Sequence, residues 1–159
     1  MRSALEARWK STVAETHAIW PSLVGHAGFL LNRCEVGHDG KTAYERSKKK
    51  VATILGLEFG EIVHWKKVIS PGKLSPKWES GIFLGIRADS GEVWIGDAEG
   101  IWETRTVHRR PIEERWDAQE ANILMQGLPK DLSREDGPYQ DPTSVMGDNE
   151  DEEVRTKII

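Results

Sequence analysis

The chain has a single cysteine, Cys34, so an intramolecular disulfide and a cysteine-rich zinc site are both excluded. Such sparing use of cysteine suits a reducing compartment. No run of about 18 apolar residues occurs, so no transmembrane helix is expected. The first residues, MRSALEARWK, are charged throughout and lack the apolar stretch of a secretory signal. The histidines His17, His26, His38, His64 and His108 are scattered without metal-ligand spacing, so no metal site is expected. Asp89, Asp97 and Glu99 sit in turn sequences, where aspartate stabilises the local backbone, and do not read as a catalytic cluster. These absences lead us to expect an intracellular protein with no membrane span.

What is present is charge, unevenly placed. The 159 residues are 38% hydrophobic and 30% charged, polar enough that part of the chain is expected to stay unpacked. The net charge of −4 hides a split: residues 1–111 hold 17 Lys or Arg against 13 Asp or Glu, and residues 112–159 hold 5 against 13. A mildly basic body is thus followed by an acidic tail.

Hydrophobic spacing predicts the elements. Leu5, Trp9 and Val13 recur every fourth residue and predict a short amphipathic helix over 2–13. Residues 20–34, WPSLVGHAGFLLNRC, predict the strongest helix, with Pro21 in the first turn where its missing N–H costs nothing. This helix is apolar around much of its circumference, through Trp20, Leu23, Val24, Ala27, Leu30, Leu31 and Cys34, and so demands burial on more than one side. The preceding 19 residues offer too little to bury it, and Cys34 at its end reads as a buried, inert thiol. Thr42 and Glu45 have capping-box spacing and predict a short helix bearing Arg46, Lys48, Lys49 and Lys50.

From residue 59 to 111 the period changes to two. Four runs, residues 61–67, 78–87, 92–96 and 101–109, are separated by turn sequences, which predicts a small antiparallel barrel. Trp65, Trp78, Trp94 and Trp102 lie within it, and as a group they read as core or rim, with stacking on nucleic-acid bases as the sharper alternative. Trp116, Ile123 and Leu124 make a weak apolar stripe that suggests a helix over 112–126. From Gly127 onward Pro, Gly, Ser and Asp dominate, so residues 127–159 are expected to be disordered. The expected division is a helical segment over 1–50, a barrel over 51–116 and a largely disordered acidic tail over 117–159.

The segments HAGFLLNR (26–33), GKTAYER (40–46), LGLEFGEIVHWKK (55–67), WESGIFLGIRADSGEVWIG (78–96) and ETRTVHRRPIEERW (103–116) follow one another in an informative order. Together they resemble the C-terminal half of integrases from long-terminal-repeat retrotransposons, the copia-type polyproteins above all. There a tryptophan-containing helix ending in Leu-Asn-Arg closes a ribonuclease-H-like catalytic core. A Thr-Pro-Tyr-Glu-like box and a W-x-x-x-x-F-L-G pattern follow. Here these stand at Leu31-Asn32-Arg33, at Thr42-Ala43-Tyr44-Glu45 and between Trp78 and Gly85. The resemblance covers about residues 2–116 and implies an α+β chain: a helical remnant of a ribonuclease-H-like core, a small antiparallel Src-homology-3-like β-barrel and an acidic tail leading onward.

Members of that family join DNA with two Asp and one Glu that hold two divalent metals. The chain starts after the place where the last of these would stand, and neither Glu6 nor Glu15 matches a catalytic motif. The resemblance therefore implies a catalytically silent fragment with no cofactor of its own, magnesium belonging to the intact enzyme, and Met1 internal to a longer reading frame. It also implies a DNA partner, other integrase segments or protomers, and a nuclear location. The DNA-phosphate contacts it suggests are Arg46, Lys48, Lys49, Lys50, Lys66, Lys67, Lys73, Lys77, Arg87, Arg105, Arg109 and Arg110. For each, a solvated surface charge is the plain alternative. Two other readings stand beside this one. A Src-homology-3 or chromo-type barrel would bind peptides in an aromatic groove, here Trp65, Trp78 and Trp94, with no role for nucleic acid. A transposon relic would have no function.

Overall fold

The apolar spacing of the first residues becomes α1 (Arg2–Trp9), with Leu5 and Trp9 buried. Lys10 adopts a left-handed conformation (φ 49°) and ends the helix before Val13. Val13 is buried nonetheless, because Glu6 accepts a hydrogen bond from its amide (3.1 Å) and folds the chain back. This computed structural model describes residues 1–67 and 76–128.

Helix α2 (Trp20–Cys34) has the bounds its sequence predicts, with Pro21 in the first turn. Its buried stripe is Ser22, Leu23, His26 and Phe29. Val24 and Leu31, which the sequence assigns to a buried circumference, are 70% and 59% exposed. Cys34 is also exposed, contrary to expectation. The physical reason is one-sided packing: α2 lies on the sheet, and nothing among the described residues covers its outer face. Helix α3 (Ala43–Lys48) carries the predicted capping box in both directions. Thr42 N–H donates to Glu45 Oε2 (2.8 Å) and Glu45 N–H donates to Thr42 Oγ1 (3.2 Å).

The alternating runs form β1 (Ile62–Trp65), β2 (Glu79–Ile86), β3 (Val93–Asp97), β4 (Gly100–Thr104) and β5 (Val107–Arg109). All pair antiparallel, in the order β4-β3-β2-β1-β5. The last run of the sequence reading is split in two by Arg105 and Thr106, which carry the chain from one edge of the sheet to the other. The sheet is therefore strongly curled. It does not close into a barrel, because no ladder joins β4 to β5. Thr104 Oγ1 instead donates to Lys66 O (3.1 Å), and Lys66 N–H donates to Thr106 O (3.3 Å).

Both faces of the sheet are buried. Val63, Trp65, Phe83, Val93 and Ile95 fill the concave face. Ile62, Ile82 and Leu84 meet Leu5, Trp9, Ile19 and Leu23 on the other. Gly60 (φ +83°) makes the turn into β1, and Leu5 and Trp9 press so close that a Cβ there would collide with them. Trp9 Nε1–H donates to Gly60 O (3.3 Å).

Helix α4 (Ala118–Leu124) lies within the expected helix over 112–126 and is followed by a 3-10 turn, Met125–Gly127, so the segment from 117 does not begin as a disordered tail; Ile123, from the expected apolar stripe, is exposed. Asp117 caps α4 by accepting from Gln119 N–H (2.8 Å) and Glu120 N–H (3.1 Å). Ala121, Leu124, Met125 and Leu128, spaced for one helical face, join the same core as α1 and α2. The core thus draws on residues on both sides of the expected boundaries at 51 and 117, so neither boundary separates two cores. The rest of the acidic tail, 129–159, lies outside the described residues.

Candidate nucleic-acid interface

The twelve expected phosphate contacts do not form one patch. Six are held by carboxylates of the chain itself. Arg46 forms a two-pronged pair with Asp39 (2.7 and 2.9 Å), and the carboxyl of Asp39 is held well below its ordinary range by that guanidinium. Lys67 bridges Glu99 (2.9 Å) and Glu79 (3.0 Å), and the hydrogen bond to Glu99 is the main reason its pKa is raised. Arg87 lies between Asp89 (2.8 Å) and Glu103 (3.0 Å), and Arg105 meets Glu92 (3.0 Å).

Arg109 and Arg110 serve the fold. Arg109 grips Glu61 with two hydrogen bonds (2.5 and 2.8 Å), and Glu61 is fully buried. Glu61 also accepts from Glu58 N–H (3.1 Å) and lies 3.5 Å from Arg115. Arg110 is itself buried, paired twice with Glu120 (2.8 Å each) and donating to Ser80 Oγ, which fastens α4 to β2. A guanidinium so enclosed cannot reach a phosphate, which removes Arg110 from the set.

Among the described residues, Lys48, Lys49, Lys50, Lys66 and Lys77 are exposed and form no ion pair. Lys73 lies outside the described residues. The first three close α3, where Lys49 takes a left-handed conformation (φ 58°). Arg33 ties this region to the far end of β2: its guanidinium stacks on Tyr44 (4.6 Å) and donates to Ala88 O (3.2 Å). Lys77 precedes the opposite end of that strand. At roughly 3.3 Å per residue the two ends of β2 are about 26 Å apart.

The Lys77 end carries the aromatic surface. Across the sheet, Ser80, His64 and His108 lie level on β2, β1 and β5. The register extends one step to bring Trp78 level with Lys66, on the face that holds Ser80, His64 and His108. Trp78 is 40% exposed, and its indole rests against the His108 ring (centroids 4.3 Å apart, planes at 59°). Lys77 is its neighbour in the chain, and Lys66 stands level with it by register. The carboxylate of Glu79 points to the other face, where it is engaged by Lys67.

The other tryptophans are differently employed. Trp65 is buried in the concave core, and Trp94 packs on the opposite, helix-covered side. Trp65, Trp78 and Trp94 therefore do not line one groove, as the peptide-binding reading requires. Trp102 closes the rim of the concave core, 5.9 Å from Trp65 and beneath Lys67 (4.9 Å), with its Nε1–H donated to Asp97 (2.8 Å). Asp97 also accepts from Glu99 N–H (2.8 Å) and Gly100 N–H (3.0 Å), the local turn role its sequence position implies.

An open groove of about 400 Å³ runs beside β4 and β5, lined by Lys66, Lys67, Arg105, Glu92 and Glu103, and is of mixed charge. A cavity of about 220 Å³ lies between α1 and α2, lined by Leu5, Leu23, His26, Leu30, Phe59 and Trp116. Among the described residues no cluster of three or more His, Cys, Asp or Glu is arranged to hold a metal ion. No helix of the described residues is long and apolar enough to cross a membrane. No protein-family model matches the chain, and no curated protein or solved structure matches it.

Sequence reasoning identified the exposed lysines by residue type. It missed Glu61 and Glu120, which take Arg109 and Arg110 out of solvent, and it did not separate Trp78 from the other tryptophans. The signal for the first was present only as carboxylates far away in sequence.

Proposed function

We propose that the chain binds nucleic acid without sequence preference, as the C-terminal part of a long-terminal-repeat retrotransposon integrase that helps to hold DNA during strand transfer. The observation that carries this reading is the surface around Trp78. Two lysines with no carboxylate partner among the described residues adjoin an exposed aromatic ring, Lys77 in the chain and Lys66 by register, and every other candidate cation on the sheet's described residues is already paired. Phosphate contacts of this kind hold a strand but read no bases.

The family assignment rests on the order of the motifs. Two features are in keeping with it. The uncovered Val24 and Leu31 suit a helix belonging to a larger ribonuclease-H-like core. A curled five-stranded sheet suits a Src-homology-3-like module. Nuclear location and a catalytically silent chain follow from the same reading.

The test is a titration of the full chain with labelled oligonucleotides at several salt concentrations. The full chain is needed because the sheet shares its core with α1, α2 and α4. Affinity should fall as salt rises, and Lys66→Ala or Lys77→Ala should each reduce the logarithmic slope by roughly 0.7 to 0.9. Binding that is absent, or indifferent to salt, would end the proposal. Strand-transfer assays with Mg²⁺ or Mn²⁺ should give no product, and turnover would refute the claim of silence.

A further inference from the structure

The lysines around Trp78 account for phosphate binding, but they leave the indole unexplained. An apolar ring of this size normally gains by burial, roughly 25 cal/mol for each Å² removed from water. Trp78 instead stays 40% exposed at the edge of a sheet whose two faces are otherwise well covered. It is not free to swing, because His108 buttresses one side of it. His108 is held in place by β5, which pairs with β1 through His64. The ring is thus pre-positioned, and a partner that stacks on it need not meet the cost of ordering it.

We infer that Trp78, braced by His108, is a stacking platform for an unpaired base, so that this end of the sheet, with Lys77 next to the ring in the chain and Lys66 level with it by register, takes single-stranded nucleic acid in preference to duplex. The inference rests on the nucleic-acid reading above and deepens it. In a duplex each base face is covered by its neighbours, and exposing one means unstacking it at considerable cost. A duplex therefore offers this surface its phosphates only. An unpaired strand offers phosphates to Lys66 and Lys77 together with a base face to the indole. Stacking of this kind is indifferent to base identity, in keeping with a reader of no sequence preference. The carboxylate nearest in sequence, Glu79, is turned to the opposite face and bound by Lys67, so it does not repel the strand.

The experiment compares an oligothymidylate with a duplex of the same length, by fluorescence anisotropy at fixed low salt, for the full chain and for Trp78→Ala and Trp78→Phe. The single strand should bind about tenfold or more tighter than the duplex. Trp78→Ala should weaken single-strand binding by roughly fivefold or more and duplex binding far less, and Trp78→Phe should retain most of the single-strand affinity. Circular dichroism confirms the fold of each variant, and Lys77→Ala, which keeps the ring, should weaken both ligands together. Equal affinity for the two ligands, or a Trp78→Ala loss shared by both, overturns the inference while leaving the nucleic-acid reading intact. Failure of the full chain to bind either ligand overturns that reading and the inference with it.

Discussion

Glu61 and His26 are the residues whose environment departs most from what water would allow. Glu61 is fully buried as a carboxylate and depends on Arg109 for compensation. Removing a partner from a buried ion pair leaves the remaining charge unsatisfied, a cost of several kcal/mol when nothing replaces it. Arg115 and the Glu58 amide remain nearby. Arg109→Ala should therefore destabilise the protein by about 2 to 3 kcal/mol in urea unfolding. Lys77→Ala, at an exposed and unpaired position, should stay within about 0.5 kcal/mol. His26 sits among Phe29, Phe59 and Phe83, and burial pushes its imidazole down to about 4. Its folded pKa lies below the ordinary value of 6.5, so the unfolded chain takes up the proton first as pH falls. The His26 contribution is thus complete above pH 6.5 and is lost progressively as pH drops towards 4, by on the order of 2 kcal/mol. Stability measured across that window should fall, and His26→Leu should flatten the fall relative to the unchanged chain.

Among the elements, α4 has the largest effect for its length. Its seven residues bring Ala121 and Leu124 onto the sheet, and the following turn adds Met125 and Leu128. Leu124→Ala should lower stability by about 2 to 3 kcal/mol, as expected for a truncated core leucine. Ile123→Ala, one residue away on the exposed side, should have little effect, and paired thermal melts would separate the two. The stripe of Trp116, Ile123 and Leu124 pointed to a helix here but not to its place in the core, because three or four apolar residues at helical spacing carry little weight in a polar, acidic segment. Element α2 presents the opposite case. Pro21 and the 3.6-residue period located it to the residue, yet its apolar outer face finds no cover among the described residues. Local sequence chemistry decides that a helix forms; what its faces touch depends on the remainder of the structure.

At the scale of the whole molecule, the unpaired candidate lysines among the described residues, Lys48, Lys49 and Lys50 against Lys66 and Lys77, fall into two groups towards opposite ends of β2, about 26 Å apart by strand length. A strand long enough to cover that span should meet both groups. Joint replacement of Lys48, Lys49 and Lys50 by alanine should therefore weaken a long oligonucleotide several-fold and leave one shorter than about 25 Å unaffected, a contrast that anisotropy titrations would read directly. Much of the architecture was legible beforehand. The capping box at Thr42 and Glu45, the extent of α2 and the strand runs depend on contacts within a few residues, which propensity and periodicity encode. The sequence by itself determined which segments become helix or strand and where cations are plentiful. Only the tertiary structure decided which cations remain available to a ligand. Arg109 meets Glu61 across 48 positions and Lys67 meets Glu99 across 32, and pairing over such distances is set by strand order and register rather than by neighbours. The same strand order places Trp78 against His108 at the end of the sheet, where, like Trp102, it is left partly facing water.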